Sequence, residues 1–191
     1  MFVASTWDRA YDSEKQKISN ERWQEYFEQV KGLRIAGNTL EVYLDKEDFD
    51  ESNLLGFAKM FQRSAPWEIY AASDKLVFGQ NGFEYGEERN PELKLLSLIN
   101  KDHISLVLTT LDSLEYSEIQ KYVSVAGQSY LTEQEFNERK SALHKWYDEH
   151  GHLIVSDGPF YMDKYVQEDN SIELKAFRDK SYPFKKGDLL I

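Results

Sequence analysis

The chain has 191 residues, 41% of them hydrophobic and 30% charged, and its acids outnumber its bases to a net charge of −11. That length suits one domain, or one lobe of something larger, with enough chain to bury a real core. The acidic balance opposes binding to nucleic-acid phosphates or to an anionic membrane surface. The absence of cysteine excludes disulfides, thiol catalysis and Cys-ligated zinc.

The opening residues MFVASTWDRAYDSEK lack a basic segment followed by an apolar one, so they do not read as a signal peptide. No stretch reaches the roughly 20 apolar residues that cross a bilayer, so no membrane insertion by this chain is expected. SNERWQEYFEQVKG reads as a helix with Trp23, Tyr26, Phe27 and Val30 on one face, Ser19 or Asn20 as its cap and Gly32 just past its end. Alternating Leu33 and Ile35, then Leu40, Val42 and Leu44, flank Gly37-Asn38 and predict a tight hairpin.

The acidic cluster DKEDFDE, residues 45 to 51, does not fit a calcium loop, because Gly is missing from the sixth position and Gly56 stands where Glu is needed. It reads as a solvated loop or a helix N-terminus. SNLLGFAKMFQR predicts an amphipathic helix closed by Pro66, and PWEIYAASDKLVF is apolar and β-leaning, with Trp67, Ile69 and Tyr70 in the core. GQNGFEYGEERNPE reads as a connecting loop, and PELKLLSLINKDHISLVLTTLDSL as two helices parted near Asn100 to Asp102. His103, alone at the start of the second, reads as structural.

LTEQEFNERKSALHKWYDEHG carries the clearest helix signature. Thr132 and Glu135 form a capping box, Phe136, Leu143 and Tyr147 share a face with Lys140 between them, and Gly151 ends it. HLIVS, FYMDKYV and IELKAF then alternate as strands, broken by Gly158-Pro159 and by the polar turn QEDNS. The expected fold class is α+β, with mixed helices and an antiparallel or mixed sheet, in a single domain or lobe over residues 1–191.

His150 and His152 form a His-x-His pair whose side chains would face one way on a strand, with His144 upstream, so a metal-dependent hydrolase is one reading. The apolar Leu153, Ile154 and Val155 follow directly, without the aspartate or further histidine of a hydrolytic pattern. His150 also suits a helix C-terminus by its charge. Gly-x-Ser-x-Gly, a phosphate-loop lysine and a dinucleotide fingerprint are all absent, so no catalytic residue, cofactor or metal is assigned. Should a ligand touch the chain, the first residues to expect are the aromatics Trp67, Tyr85, Phe160 and Tyr161. The alternative for all four is packing in a core or between lobes.

WYDEHGHLIVSDGPFYMDKYVQEDNSIELKAFRDKSYPF resembles the family 5 extracellular solute-binding proteins of ABC transporters, in particular their archaeal branch. The resemblance rests on Gly158-Pro159-Phe160-Tyr161, the pair Lys164-Tyr165, a strand from Ile172 to Phe177, then Arg178-Asp179 and Tyr182-Pro183. VKGLRIAGNTLEVYLD followed by APWEIYAA is similar to an earlier hairpin and aromatic stretch of that family, in the same order. Asp157 departs from the Thr or Asn usual before Gly-Pro.

The resemblance implies part of a type II periplasmic-binding-protein-like fold. It implies a non-catalytic role in binding peptides or similar small solutes by lobe closure, with an ABC permease as partner and an extracellular or cell-surface location for the intact protein. Family members are longer, two-lobed and exported, so a lobe fragment is expected here. It assigns no ligand-contacting residue. An intracellular α/β protein-interaction module is the alternative.

Overall fold

The dipeptide Gly37-Asn38 joins the two strands its position predicts. In a computed structural model, β1 (Val30–Ala36) pairs antiparallel with β2 (Thr39–Leu44), with Ala36 opposite Thr39 and Gly37 at φ +58°. A positive φ costs glycine nothing, so the two-residue turn can match the twist of the ribbon. The structure describes residues 28–37, 39–47, 50, 65–79, 82–85, 92–120, 123–125, 128–156 and 158–182.

The chain divides into two compact units, Met1–Arg63 and Ser64–Ile191. In the first, β1 begins at Val30, so Gly32 lies within the strand at a register shift rather than at a helix end. The ladder outcompetes the helical pattern there because Val30 and Gly32 take cross-strand partners, Leu44 and Tyr43. Lys31 and Asp45 close the open end of the hairpin with an ion pair at 3.2 Å. The bulk of the expected first helix and the whole of SNLLGFAKMFQR lie outside the described residues. Of DKEDFDE, residues 45–47 and 50 are described, exposed and outside any helix or strand.

The second unit holds α1 (Trp67–Phe78), α2 (Lys101–Asp112), α3 (Tyr116–Gln120) and α4 (Glu133–His150). Three short pairings accompany them: β3 (Phe83–Glu84) parallel to β4 (Lys94–Leu95), β5 (Ser124–Val125) with β6 (Gln128–Ser129), and β7 (Phe160–Val166) with β8 (Ser171–Ala176). The molecule is α+β, as expected. Among the described residues no helix is long and apolar enough to cross a membrane.

The segment PWEIYAASDKLVF is a helix, not a strand. Pro66 stands before its first residue, Glu68 sits in the first turn and Lys75 in the last, and Ala71-Ala72 occupy the centre. Those are strong helix-favouring choices. The strand reading followed from its even apolarity, which arises because α1 is buried on several sides: Glu68, Ile69, Ala71, Ala72, Ser73, Asp74 and Leu76 are all covered.

The expected helix before Asn100 is absent. There the Ser97 N–H donates to His103 Nδ1 at 3.1 Å and the Ile99 N–H donates to Ser97 Oγ at 3.4 Å, so side chains take up amides that a helix would use. β4 instead pairs with β3, and Gly82 accepts from the Lys94 N–H at 2.8 Å. Asn100 does cap α2, its Oδ1 accepting from the amides of Asp102 and His103. His103 is structural, packed edge-on to Phe83 at 5.0 Å.

The capping box of α4 forms in full: Thr132 Oγ1 accepts from the Glu135 N–H and Glu135 Oε2 accepts from the Thr132 N–H. Phe136 and Leu143 face the core. Lys140, between them, donates from Nζ to the carbonyls of Asp112 (3.0 Å) and Leu114 (3.2 Å), so its cation lies at the negative end of α2. Glu68 of α1, only 3% exposed, receives Arg139 of α4 in a two-pronged ion pair. The core between these helices is built on Ile69, Ala72, Ile104, Val107, Leu111 and Leu143.

Candidate functional site

Gly151 takes φ +74° and ends α4, its N–H donating to the Tyr147 carbonyl at 2.7 Å. The left-handed residue turns the chain so that His152 points inward and is 1% exposed. The next residues do not form the expected strand. The Leu153 N–H donates to the Leu98 carbonyl at 2.8 Å, and the Ile154 N–H donates to His152 Nδ1 at 3.1 Å. HLIVS is thus held by one loop contact and by its own histidine, with no ladder beside it.

Opposite lies β7, whose pairing with β8 slips between Met162 and Lys164, leaving Asp163 as the extra residue of a bulge. The two histidines serve that bulge. His152 Nε2 donates to the Met162 carbonyl at 3.0 Å, and His150 Nδ1 donates to the Asp163 carbonyl at 3.3 Å. The Asp163 carboxylate is 3.5 Å from His150 Nδ1 and 2.6 Å from Lys175 Nζ across the hairpin. Rings close the junction: Trp146 lies 4.1 Å from His150, and Tyr161 stands edge-on to both Trp146 (5.9 Å) and His150 (5.6 Å).

This geometry gives both histidines partners on the bulge. His152 uses one ring nitrogen as acceptor and the other as donor, so no lone pair remains for a metal. His144 is occupied elsewhere, its Nε2 2.8 Å from Asp112 Oδ1. Among the described residues no group of three or more metal-ligating side chains gathers. Burial lowers the His152 pKa below the usual histidine value and the nearby His150 adds to this, while the bond to Met162 and the Asp163 charge oppose it. The hydrogen bond from Lys175 holds the Asp163 carboxyl below its ordinary range.

A depression of about 370 Å³ opens beside the junction, between the start of α2 (Asn100 to Asp102), the end of α4 (His150 to His152) and the β7–β8 turn (Tyr165, Gln167, Glu168). Its charges are mixed, Lys101 against Asp102 and Glu168. The Asn100 side chain already occupies two amides of the α2 N-terminus.

The four aromatics named from the sequence do not converge. Trp67 stacks on Phe136 at 5.8 Å, with the Arg139 guanidinium 5.9 Å from its ring. Tyr85 donates to Asp74 Oδ1 at 2.6 Å and meets Phe78 edge-on at 6.1 Å, near the other end of α1. Burial, then the Asp74 carboxylate, pushes the Tyr85 phenol well above the ordinary tyrosine range. Tyr161 belongs to the histidine junction. Two of the four reach solvent: Tyr85, 42% exposed, and Phe160, 55% exposed at the start of β7.

Phe160 is not alone. On β8, Ile172 and Leu174 are 58% and 62% exposed, and the register places Phe160 opposite Ala176, Met162 opposite Leu174 and Tyr165 opposite Ile172. Cross-strand partners share a face, so one side of the hairpin is apolar, with Met162 buried and Phe160, Ile172 and Leu174 more than half exposed. The alternation of IELKAF carries that signal in the sequence, once the polar partners Glu173 and Lys175 are assigned to the other side. Asp163 and Lys175 carry no such signal, because their pairing depends on the bulge. No protein-family model and no curated protein matches this chain.

Proposed function

We infer that this chain is a non-catalytic part of a solute-binding protein of an ABC importer, with a type II periplasmic-binding-protein-like fold. The intact protein binds a peptide or similar small solute by lobe closure and delivers it to a membrane permease from outside the cell. The observation that supports this most is the uncovered apolar strip of Phe160, Ile172 and Leu174, directly after Gly158-Pro159. An apolar sheet face of this kind is stable in water only at a cost, and covering it with further sheet or with a bound apolar group recovers that free energy.

At the junction, His150 and His152 serve the backbone of the bulge, and Asp163 is neutralised by Lys175. The same strip also favours a second reading, an intracellular protein-interaction module that buries it against a partner chain.

Native mass spectrometry of the purified chain separates them, run before and after denaturation and with a mixture of short peptides added. A peptide-sized excess mass, lost on denaturation and reduced by Phe160→Ala, is the expected result. A bare mass at every peptide concentration, together with a melting temperature that peptides do not raise, would count against solute binding. One excess zinc would overturn the assignment of the histidines.

A further inference from the structure

The junction between α4 and the β7–β8 hairpin has one property that its scaffolding role does not require. It is closed by a buried histidine whose two ring nitrogens are both committed, one as donor and one as acceptor. The Met162 carbonyl needs the proton on Nε2, and the Ile154 N–H needs the lone pair on Nδ1. A second proton, on Nδ1, would place N–H against N–H with no water to separate them, since His152 is 1% exposed. The ring must then turn toward solvent, and the bond to Met162 is lost with it.

We propose that His152 is an acid-sensitive latch: protonation releases the β7–β8 hairpin from the end of α4, and deprotonation closes it. The charged and titratable groups facing it come from four directions. His150 ends α4, Asp163 lies on β7 with Lys175 of β8 beyond it, and Lys101 and Asp102 of α2 line the adjoining depression with Glu168 of the hairpin turn. Asp163 is the nearest carboxylate on β7, and it is held by Lys175 and His150. The Asp163 charge favours a cationic His152, but burial outweighs it.

The sign follows from burial. The unfolded or released state accepts a proton near the ordinary histidine value, whereas the closed state resists it. Closure is therefore complete above that value and is lost as pH falls below it.

The test is amide hydrogen exchange on the full chain at about pH 7.5 and about pH 5, corrected for the intrinsic rate. Peptides covering 152–156 and 160–166 are expected to lose protection at the lower pH while those of β1–β2 keep theirs. His152→Gln retains a donor for Met162 without a titratable ring, and its hairpin is expected to stay protected at both pH values. His150→Gln is expected to respond as the parent does. Unchanged protection in the parent, equal loss in His152→Gln, or loss abolished by His150→Gln would each overturn the proposal.

Should His152→Gln fail to fold, NMR titration of the parent decides. The His152 ring and the amides of Ile154 and Met162 are expected to shift with one midpoint below the ordinary histidine value. A ring that titrates while those amides stay unmoved would sink the idea.

Discussion

Glu68 is a buried carboxylate paired with Arg139. It is 3% exposed in the first turn of α1, and Arg139 supplies both of the donors described above. Truncating Arg139 to alanine would strand a buried carboxylate, at a cost of about 2 kcal/mol in urea unfolding. A fully buried pair would lose more, but the Arg139 side chain is 48% exposed, so water takes over part of its role. The paired change Arg139→Ala with Glu68→Gln should recover a good share. Tyr85→Phe makes a similar test of Asp74, which is 2% exposed: losing the phenol donor should cost about 1–3 kcal/mol with the ring still packed on Phe78.

Among elements, α4 is specified at both ends by its own residues. Its 18 residues start at a complete capping box and stop at a left-handed glycine. Thr132→Ala should cost about 1 kcal/mol. Gly151→Ala should cost about 1–2 kcal/mol from backbone strain alone, because an added Cβ there meets nothing within 4 Å. Thermal melts of the two variants measure both. The β7–β8 hairpin is different, since its bulge leans on charge. The Asp163 carboxyl is held below its unfolded value, so its contribution is present above about pH 4 and is lost as pH falls through the folded value. Asp163→Asn should therefore flatten the decline in urea midpoint below about pH 4, leaving the part due to Glu135, Asp169 and Asp179, whose carboxyls are also lowered.

On the scale of the whole molecule, the apolar strip matters most. Leu174 and Ile172 are more than half exposed on β8, so replacing both with serine removes little buried area. The double variant should keep the parent's melting temperature within a few degrees and should elute from a sizing column as a narrower, smaller species if the strip drives association. Leu153→Ala is the contrasting case. Leu153 is wholly buried, with its N–H on the Leu98 carbonyl, and its truncation should cost about 2–5 kcal/mol.

Much of this was legible in the residues, and for local reasons. Thr132, Glu135 and Gly151 bound α4, the break near Asn100 to Asp102 precedes α2, Gly37-Asn38 joins β1 to β2, and the alternation around QEDNS predicts β7 and β8. Each of these is a contest settled within a few residues, by a cap, a turn or a two-residue period. α1 was misread because burial on several sides removes the polar stripe by which a helix is recognised. The helix expected before Asn100 and the strand expected at HLIVS failed for a related reason: distant partners, β3 for one and Leu98 for the other, claimed the backbone.

The candidate site followed the same division. The histidines, the Gly-Pro and the exposed aromatics are visible as residue types, but their roles depend on which carbonyl each nitrogen meets. The sequence by itself determined where helices cap, where the hairpins turn and that the chain is acidic and without thiols. Only the tertiary structure decided that His150 and His152 serve a bulge, that Trp67, Tyr85 and Tyr161 are packed apart, and that Phe160 lies on an open strip. Caps and turns are set by covalent neighbours, whereas burial and hydrogen-bond partnership are set by chain segments far apart in sequence.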